Sequence, residues 1–142
     1  MKTLKFFSSM LLAVALSFCA CSNDDEPEPE PTPLPKPYFE LDHAVSFLIT
    51  KEAQSVEVPV KTNLNTPNVE ISPNEANQWI KFVEIRNEGK DGKGGEKLTY
   101  SFSIKENTEN RTRKGIIVFC NRSDNQPIVG ENTVVFTQAG VE

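Results

Sequence analysis

The chain has little of the chemistry on which catalysis and metal binding depend. Its 142 residues include one histidine, His43, and three cysteines, Cys19, Cys21 and Cys120. A structural zinc site needs four ligands, usually in C-x-x-C or H-x-x-x-H pairs, and a thioredoxin-like redox site needs C-x-x-C. Cys19 and Cys21 are spaced as C-x-C, and no Cys-His or Ser-His pairing has a second candidate base. We therefore predict a protein that is not an enzyme, with no catalytic residue, no metal and no cofactor.

Positive charge is also scarce. The chain has 15 Lys and Arg against 20 Asp and Glu. Without the N-terminal segment, which contains Lys2 and Lys5, 13 basic residues face 20 acidic ones, and the net charge is about −7. Nucleic acids bind surfaces with clustered Lys and Arg, so a nucleic-acid partner is not expected.

Few aromatic side chains are available to stack on a sugar ring. The chain has one Trp and two Tyr. Glycan binding usually needs exposed aromatic faces, so the candidates are Trp79 and Tyr38. Apolar residues follow Trp79, and packing in the core is favoured for it over a sugar platform. Tyr38 follows a proline-rich segment and is expected to be exposed, whereas Tyr100 falls on the inward face of its predicted strand.

The one long apolar run lies at the N terminus, between Phe6 and Phe18. It follows Lys2 and Lys5, is too short to span a bilayer comfortably, and is followed by small residues. These are the parts of a secretory signal peptide, which we assign to residues 1–20. An N-terminal core helix is the alternative, but the polar, proline-rich stretch after it could not pack such a helix against a domain.

This run ends in Phe18-Cys19-Ala20-Cys21, which resembles a bacterial lipobox. The resemblance implies cleavage between Ala20 and Cys21 by signal peptidase II and diacylation of Cys21. Cleavage after Phe18, with Cys19 as the lipid site, is the alternative, but it puts a bulky residue where a small one is expected. Several acyl chains on one cysteine give a firm membrane anchor, because each buried CH₂ contributes about 0.8 kcal/mol.

An acidic cluster follows the lipidation site and consists of Ser22, Asn23, Asp24, Asp25 and Glu26. A serine and acidic residues beside the lipidated cysteine resemble the surface-export signal of Bacteroidetes lipoproteins. The resemblance implies an outer-membrane lipoprotein exposed on the cell surface, with the periplasmic face of that membrane as the alternative. A solvated charged linker is the purely structural interpretation.

Alternating prolines then mark a tether over residues 21–37; they are Pro27, Pro29, Pro31, Pro33, Pro35 and Pro37. Proline fixes φ and pushes its predecessor toward extended conformations. The acidic tether is therefore expected to lack a fold of its own and yet to be stiff. About 15 residues at about 3.1 Å each would reach about 45 Å from the membrane.

From residue 38 onward, apolar and polar residues alternate in short runs, which is the period of a half-buried strand. In the run 97–104, the even-numbered residues from Leu98 to Ile104 face inward, whereas Thr99, Ser101 and Ser103 face outward. Seven runs are predicted to be strands: 44–49, 55–61, 68–71, 79–85, 97–104, 116–120 and 133–137. Residues 38–142 are therefore predicted to form one all-β domain, an antiparallel immunoglobulin-like β-sandwich of seven to eight strands.

Four local features refine this prediction. Pro59 indicates an edge strand, because proline cannot donate a hydrogen bond to a sheet. A single helical turn is expected at 73–78. The Gly-rich segment 87–96 is predicted to be a long mobile hairpin loop, with ligand binding by that loop as the functional alternative. Cys120 lies in an apolar run and is expected to be a buried thiol rather than a nucleophile.

Four motifs are spread over the predicted domain. V-x-V-x-V-K-T-N begins at Val56, F-S-I-x-x-N at Phe102, R-K-G-I-I-V-F at Arg113, and V-V-F-T-Q-A-G at Val134. Together with Trp79 at the start of the middle strand, they resemble the BACON domain (Bacteroidetes-associated, carbohydrate-binding, often N-terminal) over residues 39–141. The resemblance implies an all-β sandwich in a secreted or surface protein, often beside glycan-degrading modules. Carbohydrate binding is the role proposed for the family, and some members act mainly as spacers.

Two functions are consistent with these patterns. The first is a non-catalytic cell-surface module that binds glycan, with Trp79 or Tyr38 as the platform. The second is a structural spacer, or an accessory subunit that docks to a larger surface glycan-handling complex without a ligand of its own. We expect a monomer in both cases. An exposed aromatic cluster would favour the first function, whereas a buried Trp79 and an exposed apolar edge near Pro59 would favour the second.

Overall fold

The computed structural model describes residues 33–42 and 45–142. The signal peptide, Cys21, the export residues 22–26, most of the tether and His43 lie outside the described residues. No helix within the described ranges is long and apolar enough to span a membrane. Residues 34–142 form one compact unit. It contains the strands β1 Phe39–Leu41, β2 Ser46–Ile49, β3 Gln54–Thr62, β4 Asn68–Ser72, β5 Ile80–Lys90, β6 Glu96–Ile104, β7 Arg113–Cys120 and β8 Thr133–Gln138, with a 3-10 helix at Asn74–Gln78.

The strands form two four-stranded sheets with a shared core. The first sheet has the order β1-β3-β6-β5 and the second β2-β8-β7-β4. The predicted all-β sandwich is confirmed, and the pairs are antiparallel except for β2 with β8, which is parallel. This parallel pair was not predicted. It arises because the chain passes from β1 in one sheet to β2 in the other without reversing its direction.

The core lies where the predicted inward face of β6 meets the second sheet. Tyr100 and Phe102 are fully buried, and each meets a phenylalanine of the second sheet edge to face. The ring centroids lie 4.9 Å apart for Tyr100 with Phe119 and 5.5 Å apart for Phe102 with Phe136. Burial of each such side chain contributes roughly 1.5–3 kcal/mol, so alternation along β6 is enough to set the face that it buries.

The outward positions of β6 face as predicted, but two of them are covered. Thr99 and Ser101 point away from the core, yet they are only 8% and 9% exposed. Their neighbours across the sheet explain this, because Glu57 on β3 lies opposite Ser101 and Arg86 on β5 lies opposite Thr99. Arg86 Nη2 lies 2.9 Å from Glu57 Oε1, so this ion pair crosses over β6 and covers both hydroxyl residues.

Pro59 does not mark an edge strand, contrary to the prediction. β1, a strand that was not predicted, pairs with residues 60–62 of β3. The Pro59 carbonyl accepts a hydrogen bond from the Asp42 N–H at 3.1 Å. In an antiparallel pair, the backbone N and O atoms of one residue point toward the same neighbouring strand. The O atom of Pro59 points toward β1, so its N atom does too, and the missing N–H interrupts no hydrogen bond to β6. Proline is tolerated because β1 ends there.

β5 forms an edge of the first sheet and differs most from its prediction. It extends to Lys90, beyond the predicted 79–85, and most of its residues are exposed. Its register against β6 shifts between Phe82 and Glu84 and again between Asn87 and Gly89, as at a β-bulge. Phe82 and Val83 are 41% and 58% exposed. In the first sheet, the exposed apolar edge therefore lies on β5 and not near Pro59.

The hairpin between β5 and β6 is shorter than predicted. β5 continues through Lys90 and β6 begins at Glu96, which leaves a turn of residues 91–95. The Asp91 carboxylate accepts hydrogen bonds from the backbone N–H groups of Lys93 at 2.7 Å and Gly95 at 3.0 Å. A side chain that satisfies the turn's own donors fixes one loop conformation. The connection between β5 and β6 is therefore a short turn held by side-chain hydrogen bonds and not the long loop that was predicted.

The strand directions give the sandwich two ends. The tether end is where residues 34–38 join, and it also carries the loops 63–67, 91–95 and 121–132. The distal end carries the 3-10 helix, the loop 105–112 and residues 139–142. β6 has nine residues, so about 30 Å separates the two ends.

Candidate functional site

Trp79, the first candidate for a sugar platform, lies at the distal end within the core. It follows the 3-10 helix directly and is 6% exposed. The guanidinium carbon of Arg113 lies 4.6 Å from the centroid of its ring system, which places a cation over the aromatic face. The favoured interpretation of Trp79 as a core residue agrees with this position, and the ring offers little surface to a sugar.

Tyr38, the second candidate, lies at the tether end and is half-buried. Its hydroxyl donates a hydrogen bond to Asp91 Oδ2, and Lys93 Nζ lies 6.0 Å from its ring centroid. Partial burial, together with the Asp91 carboxylate, raises the pKa of Tyr38 to about 12. Tyr38 therefore ties the tether to the β5–β6 turn, and the structure does not bring it near Trp79.

Residues from three of the four motifs that carried the family resemblance meet at the distal end in one hydrogen-bonded network. Asn107 is fully buried, and its Nδ2 donates to the carbonyls of Arg111 and Ala139, both at 2.9 Å. Its Oδ1 accepts the Glu109 N–H at 3.2 Å. The loop 105–112 is therefore closed around one buried amide. Sequence reasoning noted the F-S-I-x-x-N spacing but missed this role.

Arg113 is the second part of the network. Its Nε donates to Gln138 Oε1 at 2.9 Å, and its Nη2 donates to the carbonyls of Lys105 at 2.9 Å and Glu106 at 3.0 Å. Loss of water around the guanidinium lowers the pKa of Arg113. Stacking on Trp79 and these three bonds hold the side chain in one orientation. Arg113 is thus not a freely solvated side chain, although Arg111 and Lys114 beside it are exposed.

Two glycines of the motifs allow these close approaches. A Cβ atom on Gly115 would lie 3.2 Å from both Ala76 Cβ and Trp79 Cζ2. A Cβ atom on Gly140 would lie 2.6–2.8 Å from the backbone of Arg111. A side chain at either position would push apart the elements that frame the distal end.

These elements enclose a polar groove of about 480 Å³, which we call the distal groove. It lies between the 3-10 helix, the loop 105–112 and the first residues of β7. Small-molecule sites usually measure about 300–1,000 Å³, so its size suits a ligand. Its charged and amide lining consists of Glu75, Gln78, Lys105, Glu106, Glu109, Arg111, Arg113 and Lys114.

The charges of the distal groove are only partly paired. Arg111 Nε lies 2.6 Å from Glu109 Oε2, and this is the groove's one ion pair among the described residues. Four cations face three carboxylates, a net charge of +1 on a domain that is acidic overall. The groove combines fixed N–H donors with carboxylate acceptors, which is the chemistry that binds a polyhydroxylated ligand. No group of three or more metal-ligating side chains occurs in the described ranges.

No protein-family model matches the chain, and the search of curated proteins found no match. Among solved structures, a GH5 xyloglucanase of Bacteroides ovatus, in complex with an XXXG heptasaccharide, is similar at 7% identity and a TM-score of 0.51. The match covers 74% of this chain and 19% of the xyloglucanase, so the chain spans about a fifth of that enzyme's length. This likeness shows a shared fold.

Two other solved structures are similar at lower scores. EndoBT-3987 of Bacteroides thetaiotaomicron, solved with a Man5GlcNAc product, has 11% identity and a TM-score of 0.44, with coverage of 72% of this chain and 31% of that one. A protein from Bacteroides thetaiotaomicron solved by NMR has 13% identity and a TM-score of 0.34, with coverage of 81% and 95%. These two scores are too low to carry an argument.

We expect Asn107→Ala to lower the free energy of unfolding by about 2–3 kcal/mol, because buried backbone groups lose their partner. Urea unfolding of residues 22–142 measures the change. Thr108→Ala is the control: Thr108 is the exposed neighbour in the same loop and should cost less than about 0.5 kcal/mol. Equal effects of the two substitutions would contradict the structural role of Asn107.

The Tyr38–Asp91 contact should give a pH-dependent part of the stability. The Tyr38 hydroxyl, with the Lys93 and Gly95 N–H groups, lowers the pKa of Asp91, so this stability is present above about pH 4 and is lost as the pH falls through the lowered value. The raised pKa of Tyr38 adds stability that is present below about pH 10 and is lost as the pH rises through about 12.

Asp91→Asn tests this dependence. Its difference in unfolding free energy from the parent chain should be constant between about pH 5 and 9 and should shrink outside that window. Urea unfolding across the pH range gives the difference, and tyrosinate absorbance follows Tyr38. A difference that stays constant at pH 3 and pH 11 would show that the contact carries no linked stability.

Proposed function

We propose that the chain is a non-catalytic module of a bacterial surface lipoprotein, of the BACON type, that serves in glycan handling. The lipobox and the export cluster support the location. The closing V-x-F-T-Q-A-G motif supports the family assignment, because two of its residues have structural roles at the distal end. Gln138 hydrogen-bonds to neighbouring segments, and Gly140 allows the backbone of Arg111 to approach closely. The fold shared with part of a xyloglucanase supports the glycan setting.

Docking to a larger surface complex is the role that the geometry supports best. The observation that carries it is the apolar edge of β5, where Phe82 and Val83 are exposed. Beside them, a cavity of about 280 Å³ opens between β4 and β5, lined in part by Val69, Phe82 and Ile85. A free edge that exposes apolar side chains beside a cavity is a usual place for a partner to bind. Trp79 and Tyr38, by contrast, are both engaged within the domain.

Glycan binding by the domain itself is the second candidate function. The distal groove favours it, because its size, its rigid frame and its mixture of donors and acceptors suit a saccharide. In that case the surface that binds the sugar is polar, and it is not the aromatic platform expected from the sequence. Binding would depend on hydrogen bonds and charge at the groove rather than on stacking against Trp79.

The docking role predicts a position-specific crosslink. A photoreactive benzoylphenylalanine at Val83 should form an adduct with one surface protein when intact cells are irradiated. The same residue at Leu48, which is 89% exposed on the opposite edge strand β2, is the matched control. Mass spectrometry of the adducts gives the comparison. Identical adducts at both positions, or none at Val83, would count against docking through β5.

Surface exposure through a lipid anchor predicts two results in cells. Protease treatment of intact cells should remove the sandwich, whereas Cys21→Ala should release the protein from the outer membrane. Immunoblots of the membrane and soluble fractions measure both. Protection from protease with normal membrane retention would place the domain on the periplasmic face instead.

A further inference from the structure

We propose that the distal groove binds an acidic glycan, whose uronate carboxylates are held by Lys105, Lys114 and Nη1 of Arg113. The proposal rests on the glycan-handling role above and names the class of ligand. All three cations line the same groove. None of them has an ion-pair partner among the described residues, whereas Lys61, Arg86, Lys90, Lys93 and Arg111 each do.

Arg113 supplies the fixed part of the site. Its Nε and Nη2 are used by Gln138 and by the Lys105 and Glu106 carbonyls, which leaves Nη1 without an acceptor within the described part of the chain. The stack on Trp79 holds the guanidinium plane still. A guanidinium that is already oriented loses little entropy when a carboxylate arrives, so Nη1 can donate a charge-assisted hydrogen bond to an anion.

Lys105 and Lys114 supply the adaptable part. Both side chains are exposed; Lys105 is the first residue after β6, and Lys114 is the second residue of β7, directly after Arg113. Their ammonium groups can reach carboxylates at more than one position of a sugar chain, because four rotatable carbons carry each charge. Arg111 is neutralised by Glu109 and adds little net attraction.

The carboxylates of the distal groove limit how many charges per sugar a bound polymer can carry. Glu75 and Glu106 line the groove without an ion-pair partner in the described ranges. Carboxylates accept hydrogen bonds from sugar hydroxyls, so they suit a ligand that carries both hydroxyls and an occasional charge. The same groups repel a densely charged polymer such as heparin or nucleic acid. The groove therefore fits a uronate polysaccharide with about one charge per sugar or fewer.

The test uses the soluble chain of residues 22–142, which keeps the whole sandwich. Isothermal titration with polygalacturonate, alginate and hyaluronan is compared with titration of their carboxyl-reduced forms, and with xyloglucan and heparin. We expect at least one acidic polymer to bind at least about tenfold more tightly than its reduced form. That binding should weaken as salt is added, because exposed charges are screened.

Two paired variants locate the site. Lys105→Ala with Lys114→Ala should weaken binding of the acidic polymer about tenfold or more. Lys81→Ala with Lys97→Ala removes the same charge from exposed lysines of the first sheet that also lack an ion pair among the described residues, and it should leave binding unchanged. Unchanged circular dichroism and urea midpoints show that all variants remain folded.

The other outcomes overturn the proposal in distinguishable ways. Equal binding of acidic and reduced polymers, or binding of xyloglucan alone, removes the charge preference but leaves glycan binding in place. If no polymer binds, the groove is not a glycan site. The docking proposal is tested separately, by the Val83 crosslink. Tighter binding of heparin, or an equal loss in both paired variants, indicates a diffuse attraction for anions and overturns the site.

Discussion

The distal end of the molecule depends on one buried amide. Gln138 is fully buried on β8, and its Nε2 donates to the carbonyls of Lys51 at 3.1 Å and Lys105 at 3.0 Å, while its Oε1 accepts from Arg113 Nε at 2.9 Å. This one side chain joins the segment after β2, the end of β6 and the start of β7. An unsatisfied buried amide costs about 1–3 kcal/mol, so these segments are held in mutual register. The position of Arg113, and with it the floor of the distal groove, follows from that requirement.

Much of the fold could be predicted from alternation alone, because burial of one strand face is a local signal. β6 is the clearest case: the buried face from Leu98 to Ile104 is as predicted. The features that alternation does not predict have non-local causes. Thr99 and Ser101 are covered by an ion pair between two other strands, and Pro59 is tolerated because a three-residue strand ends beside it. Neither the partner strand nor its length can be read from the residues around Pro59.

The candidate site was predicted less well than the fold. Trp79 and Tyr38 were singled out because aromatic side chains are rare in the chain, but rarity does not show exposure. Each has a partner far away in sequence: Arg113 lies over Trp79, and the Tyr38 hydroxyl is bonded to Asp91. The distal groove is built from three separated segments, so no local pattern indicates it. The motif residues Asn107 and Gln138 were visible as spacing, and only the structure shows that they are buried supports and not ligands.

The two proposed surfaces lie close together, and this bears on how the domain would work. Phe82 and Val83 follow Trp79 by three and four residues, so at about 3.3 Å per residue they begin about 10 Å from the distal groove. A partner that docks on the β5 edge would therefore sit beside the groove. The tether joins at the opposite end, through Tyr38. A partner held at the edge and a glycan held in the groove would thus be neighbours, which is the arrangement that an accessory subunit needs to present a chain to a second protein.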